Sequence, residues 1–309
     1  MQIIKNKKTE KEPNALTPKM LFLSLLVMAM WGSIYSCVKL GYEAFGTDTS
    51  KVSEILMFAG TRFLVCGIVI TAFSLIKGER LKNLSKNAIF PVLCMGLLAI
   101  VLHYAFMYVG MTMTESSKTA IIKQIGSLVY ICFSFLFIKY EKFTKRKIVG
   151  AILGFLGIIA INSGVDGISF SLGDILIIIA SFCSVASNVV GKTAMKYNTP
   201  VIVTGISQLF GGGVLMIIAS VMGAKIPQFS TYSTLVFSYI CLASIIGYCL
   251  WYYIVSRSGE LSKLFVIKFS EPFFACIFGA ILLGENIFKL QYLVAFILIS
   301  VGIAIGNKN

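Results

Sequence analysis

The stretch Ser117-Lys-Thr-Ala-Ile-Ile-Lys123 returns 145 residues later as Ser262-Lys-Leu-Phe-Val-Ile-Lys268. Each copy opens a long apolar run, and each run ends near a glutamate, Glu141 or Glu285. Tyr104 and Tyr108 likewise return as Tyr248 and Tyr252. A chain that echoes itself at half its length, inside hydrophobic segments, reads as a duplicated membrane bundle. The echo also sets a lysine within an apolar segment of each half. An amine in hydrocarbon is costly, so by default it marks a functional position.

The composition agrees. Of 309 residues, 57% are hydrophobic and 13% charged, with a mean hydropathy of +0.88, far from the make-up of a soluble domain. Ten apolar runs follow in order: 20–38, 55–76, 88–111, 119–138, 148–163, 172–191, 200–222, 235–256, 264–283 and 290–306. Each reaches or approaches the roughly 20 residues a helix needs to cross a bilayer. The expected fold is an all-α integral membrane protein of ten transmembrane helices. A polar tail (1–19) precedes a first five-helix unit (20–163) and a second (172–306). Five spans per unit bring the second unit in from the opposite side, so the two repeats are expected to be inverted around a midplane site, the arrangement of alternating-access carriers.

The net charge of +14 belongs to topology rather than to nucleic acid, because no aromatic-basic platform accompanies it. With the N-terminus inside, nineteen basic residues fall on inner segments: Lys5, Lys7, Lys8, Lys11 and Lys19; Lys77, Arg80, Lys82 and Lys86; Lys139, Lys142, Lys145, Arg146 and Lys147; Lys192, Lys196, Arg257, Lys263 and Lys308. Five fall outside: Lys39, Lys51, Lys118, Lys225 and Lys289. That asymmetry predicts a multi-pass protein of a bacterial plasma membrane with both termini cytoplasmic. The tail lacks a cleavage-like small-residue site after an apolar core, so no cleaved signal peptide is expected. The eight cysteines form no C-x-x-C pair, and neither a metal nor another cofactor is expected.

Three basic residues remain within spans: Arg62, Lys123 and Lys268. With Glu271 they give a cavity of net charge +2, suited to a carboxylate or phosphate. The competing account has both lysines snorkelling, since each lies about 8–10 Å deep, or has Lys268 neutralised by Glu271 at i, i+3. Glu271 is either a proton carrier or that structural partner; His103 is either a proton shuttle or a hydrogen-bonded core residue. The pairs Trp31/Tyr35, Tyr104/Tyr108 and Tyr248/Tyr252, with Trp251, each share a helix face and form either pocket walls or an interfacial belt. Ser184, Ser187 and Asn188 occupy the counterpart of the first span. Gly150, Gly154, Gly157, Gly302 and Gly306 read as close-packing seams, Gly211–Gly213 as a helix loosened to bend, and Pro272 as a kink in the ninth span.

These residues also carry a family resemblance. Met30-Trp-Gly-Ser-Ile-Tyr-Ser-Cys-Val-Lys39 resembles the first-helix signature of the drug/metabolite transporter superfamily, in its EamA branch. Arg62 in Thr61-Arg-Phe-Leu matches an arginine common in that family's second helix. Glu271-Pro-Phe-Phe-Ala through Ile281-Leu-Leu-Gly-Glu285 is similar to the ninth-helix pattern, with Tyr140-Glu141 as the first-repeat counterpart, and Leu298-Ile-Ser-Val-Gly302-Ile is similar to the tenth. The resemblance covers residues 20–306. It implies a central cavity walled by helices 1, 3, 4, 6, 8 and 9, and metabolite transport, often export. Lysine in both the fourth and ninth helices is reminiscent of the related sugar-phosphate exchangers, but Phe269 stands where those carry a second basic residue, and Leu128 stands where the second repeat has Pro272.

The expected function is therefore secondary transport of a small anionic or zwitterionic metabolite, by export or exchange. Lys123, Lys268, Arg62, Tyr35, Tyr104, Tyr108, Trp251 and Tyr252 would bind the substrate, and Glu271 and His103 would couple it to protons or a counter-substrate. The protein would work in lipid as a monomer or homodimer. The alternatives are proton-coupled export of cationic or lipophilic compounds through Glu271, and, further off, a channel. No nucleophile, metal cluster or nucleotide-binding loop supports an enzyme or a primary pump.

Overall fold

Helix starts are set by side chains that satisfy the free backbone N–H groups of the first turn. Thr17 accepts from Met20 N and Pro18 occupies the first turn of α1 (Pro18–Phe45), which Gly46 closes in the left-handed region at φ 60°. Thr199 and Pro200 repeat that start for α9 (Pro200–Val221), while Ser171/Asp174 and Ser230/Ser233 form capping boxes for α8 (Leu172–Ala194) and α10 (Thr231–Arg257). This computed structural model describes residues 17–79, 86–136, 138, 141, 144–164, 167–168, 171–287 and 289–307. The first four tail lysines, Arg80, Lys82, Lys139, Tyr140, Lys142 and Lys308 lie outside them.

The remaining elements are α2 (Val52–Ile76), α3 (Lys86–Gly96), a π-helical segment Leu97–Leu102, α4 (His103–Met111), α5 (Ser116–Ile122), α6 (Gln124–Phe133), α7 (Lys145–Asn162), α11 (Leu261–Lys268), α12 (Glu271–Leu283) and α13 (Leu290–Asn307). A two-residue antiparallel pair, Ser163–Gly164 with Gly167–Ile168, joins the halves. Among the described residues, eight spans are long and apolar enough to cross a membrane: Pro18–Phe45, Val52–Ile76, Ile89–Met111, Ser116–Leu136, Leu172–Ala194, Pro200–Val221, Thr231–Arg257 and Leu261–Leu283. Leu290–Gly302 is a shorter apolar helix, and α7 packs along α13.

The packing exchanges the two halves. α2 lies against α9 and α7 against α13; α1 touches α10 and α12, while α8 touches α3, α4 and α6. Large apolar side chains on the outer faces, such as Phe22, Phe73, Ile217 and Ile281, are exposed as a lipid-facing surface requires.

Two expectations change here. Gly211–Gly213 does not loosen its helix: α9 is continuous, and Gly212 sits against the backbone of Phe63 and Leu64 in α2. Small residues let two helices approach in lipid, where no hydrophobic effect drives them together. The ninth span is interrupted at Phe269–Ser270, before Pro272, which lies in the first turn of α12. The fourth span breaks at Lys123 with no proline at all. The expected seams hold at Gly302, which meets Gly150 O, and at Gly157, which meets Ala295 O.

Candidate substrate cavity

Both helix interruptions fall where a lysine stands. Lys123 links α5 to α6, and Lys268 ends α11 two residues before α12 begins. Their side chains turn inward and line one central cavity, together with Trp31, Tyr35, His103, Tyr104, Tyr108, Ser184, Ser187, Asn188, Tyr248, Trp251, Tyr252 and Glu271. The space left between these side chains is about 30 Å³, well below the roughly 300–1,000 Å³ typical of small-molecule sites, so the lining is closed around little more than water-sized room. Both amines point inward rather than to the interface: Lys268 is 3% exposed, and the Lys123 side chain, 10% exposed, ends on the fully buried Glu271.

The ion pairing differs from the i, i+3 reading. Glu271 Oε1 takes Lys123 Nζ at 2.9 Å and the Tyr35 hydroxyl at 2.6 Å, so its partners come from the other repeat. The turn at Phe269–Ser270 removes Glu271 from the helical register that would stack it on Lys268. Glu271 Oε2 has no hydrogen-bond partner among the described residues. Among the described residues, Lys268 Nζ makes no ion pair; its close neighbours are the rings of Trp251 (5.2 Å), Phe265 (5.5 Å) and Trp31 (5.6 Å). Asn188 Oδ1 accepts from Trp251 Nε1 at 2.6 Å and so fixes the indole beside that amine. The lining thus holds two amines and one carboxylate, with a single amine left over.

Arg62 lies outside the lining. Its guanidinium, fully buried, donates to Ser244 Oγ from Nε (3.0 Å) and Nη2 (2.6 Å) and to the Tyr108 hydroxyl from Nη1, ties that join α2 to α10 and α4. Tyr104 and Tyr248, whose hydroxyls are 2.7 Å apart, stand in the lining. His103 Nδ1 is 2.7 Å from Ala180 O, which holds the ring on α8. A carbonyl only accepts, so that nitrogen carries the proton. The π-helical turn just before His103, where π-bulges often accompany function, went unread in the sequence because its apolar residues share the periodicity of the helix around it.

Sequence reasoning also missed the contacts that hold the two lysine spans. Glu285 Oε1 accepts from Ser116 N (2.9 Å), and its Oε2 accepts from Ser117 N (3.1 Å) and the Ser117 hydroxyl. Glu141 Oε1 accepts from Leu261 N (2.7 Å) and Ser262 N (3.2 Å), and its Oε2 from Ser262 Oγ (2.5 Å). Each glutamate therefore caps the lysine-bearing helix of the other repeat. The echo at 117 and 262 and the recurring glutamates were the visible halves of this signal.

Comparison with known proteins agrees with this architecture. A solved crystal structure covering 93% of this chain and 95% of its own superposes with a TM-score of 0.69 at 14% identity, so the fold is shared. The uncharacterized inner membrane transporter YedA of Escherichia coli K12 is 29% identical over 271 residues, 85% of this chain and 83% of that protein. The uncharacterized transporter YvbV of Bacillus subtilis is 26% identical over 295 residues, 94% and 91% of the two chains. A chloroplastic WAT1-related protein of Arabidopsis thaliana is 26% identical over 266 residues, 80% of this chain and 63% of its own. The profile of the EamA-like transporter family matches residues 18–163 and 171–307, nearly the whole of the apolar chain. With its helical bundle and enclosed cavity, this chain is a multi-pass membrane protein that belongs to the EamA-like transporter family.

Proposed function

We propose that this protein is a secondary carrier of ten helices in two inverted repeats, and that it moves a small carboxylate-bearing metabolite, as anion or zwitterion, by alternating access. The observation that carries this reading is Lys268. It is buried, it forms no ion pair among the described residues, and aromatic faces surround it. A buried charge without a counter-ion is unfavourable, and a ligand carboxylate removes that cost. At about 4 Å and an effective dielectric of about 20 the pair gains roughly 4 kcal/mol before desolvation is subtracted. Trp31, Trp251 and Tyr252 supply walls for an apolar or planar group beside the carboxylate, and Glu271 Oε2 is a free acceptor for an ammonium group. The carrier works in the plasma membrane with both termini cytoplasmic, as an exporter or exchanger. Protons are the coupling ion if Glu271 releases Lys123 during the cycle.

The test is a thermal-stability screen of the purified protein with three ligands of one shape: phenylacetate, phenylalanine and phenethylamine. Stabilisation by the first two that is lost in Lys268→Gln is the expected result, with binding weakened at least about 30-fold, the equivalent of about 2 kcal/mol. Stabilisation by phenethylamine alone, or by phenylacetate equally in wild type and Lys268→Gln, would overturn the reading in favour of a cation carrier working through Glu271.

A further inference from the structure

The two glutamate caps lie at opposite ends of one span. Glu285 holds Ser116 and Ser117 at the start of the span Ser116–Leu136, and Glu141 follows its end and holds the start of the other lysine span, Leu261–Leu283. At 1.5 Å per residue a 21-residue span is about 30 Å long, so the caps sit near opposite membrane faces. Lys123 and Lys268 lie about 10 Å inward from the capped ends of their own spans. The flanking contacts are paired too. Glu260 takes Lys147 at 2.6 Å beside Glu141, and Glu115 takes the Tyr292 hydroxyl at 2.7 Å beside Glu285; the glutamate recurs at a separation of 145 residues, and its partners, though lysine in one half and tyrosine in the other, stand at the same separation. Gly284, at φ 65°, ends α12 and aims Glu285 at the first lysine span, which accounts for the order Leu283-Gly284-Glu285.

We propose that Glu141 and Glu285 are reciprocal latches: each fixes the lysine-bearing span of the opposite repeat at one membrane face, and the cavity opens to a face only when the latch there releases. This rests on the alternating-access reading and adds the residues that gate it. The two lysine spans are antiparallel neighbours, with α12 against α5 and α6 against α11, and are fastened at both ends, with the charged cavity between. With both latches closed, Lys268 and Glu271 are buried at the centre. Parting the spans at one face breaks three hydrogen bonds from one carboxylate and leaves the other three intact. The surviving latch then acts as the pivot and keeps the cavity from opening at both faces at once.

The experiment reads the side of opening, which an ordinary helix cap does not influence. Ser184 lines the cavity, and Ser184→Cys is nearly isosteric. Sealed right-side-out and inside-out vesicles containing this variant are treated with a membrane-impermeant, anionic methanethiosulfonate, with the wild-type protein as the background for native cysteines. Adding Glu285→Gln is expected to raise labelling about tenfold from one face only, and adding Glu141→Gln to raise it from the opposite face only. Ser117→Ala and Ser262→Ala, which each remove one bond, give the same sidedness at smaller amplitude should the glutamine variants fail to fold. Increased labelling from the same face in both, or unchanged labelling from either face while thermal stability falls, would show that the glutamates are caps and nothing more. No substrate enters this measurement, so a failed carboxylate screen and a failed latch are separate results.

Discussion

Among single residues, the proposed carboxylate site turns on the distribution of three charges in the cavity. Lys123 is engaged by Glu271, and Lys268 makes no ion pair among the described residues and lies against the Trp251 ring. Removing the engaged lysine should therefore matter as much as removing the free one. In Lys123→Met the Glu271 carboxylate loses its partner and turns to Lys268, the other amine of the cavity lining. Carboxylate-dependent thermal stabilisation should vanish in Lys123→Met as it does in Lys268→Met, and return in Lys123→Met/Glu271→Gln, where Lys268 is free again. A double variant that stays silent would mean that Lys123 itself touches the ligand. Arg62, which the sequence grouped with these lysines, is instead spent on Ser244 and Tyr108, so the cavity carries one surplus positive charge rather than two.

Between helices, close approach is decided one glycine at a time. Within Gly211-Gly212-Gly213, a methyl group on Gly212 would fall onto the backbone of Phe63 and Leu64, whereas one on Gly213 would meet only Leu64 Cδ1 at 4.0 Å. Gly212→Ala should force α9 away from α2 and cost about 3 kcal/mol or more, the upper range for overpacked sites, because backbone cannot yield as a side chain does. Gly213→Ala should be neutral or stabilising by up to about 1 kcal/mol, since alanine is the better helix former. Thermal unfolding of the two variants in detergent distinguishes these outcomes. The same glycine run looked like a weak point in the sequence, because residue type alone does not say whether a glycine frees a helix or lets a neighbour in.

Across the whole molecule, the proposed orientation rests on where the basic residues fall. Fusions of alkaline phosphatase after Lys196 or after Asn309 should be inactive, and a fusion after Gly223, in the loop that carries Lys225, should be active. The reverse pattern would invert the assignment of faces and leave the cavity and latches as they are. Lys196 and Gly223 flank α9, so this pair of fusions also checks that α9 crosses the membrane once.

The sequence alone determined that this chain lies in a membrane, that it is duplicated, and that a lysine stands within the fourth and the ninth apolar run. Hydropathy and internal repetition are properties of the chain order itself, and a bilayer forces each apolar run to satisfy its backbone as a helix. The echo at Ser117 and Ser262 even marked the two spans that the glutamates fasten. Only the tertiary structure decided which charges meet. Glu271 lies three residues from Lys268 yet pairs with Lys123, and Glu141 and Glu285 reach across 120 and 169 positions to their caps. Those choices depend on the interruptions at Lys123 and at Phe269–Ser270, which break helical register, and on packing between the repeats. Local periodicity carries no information about either, because it describes one helix at a time.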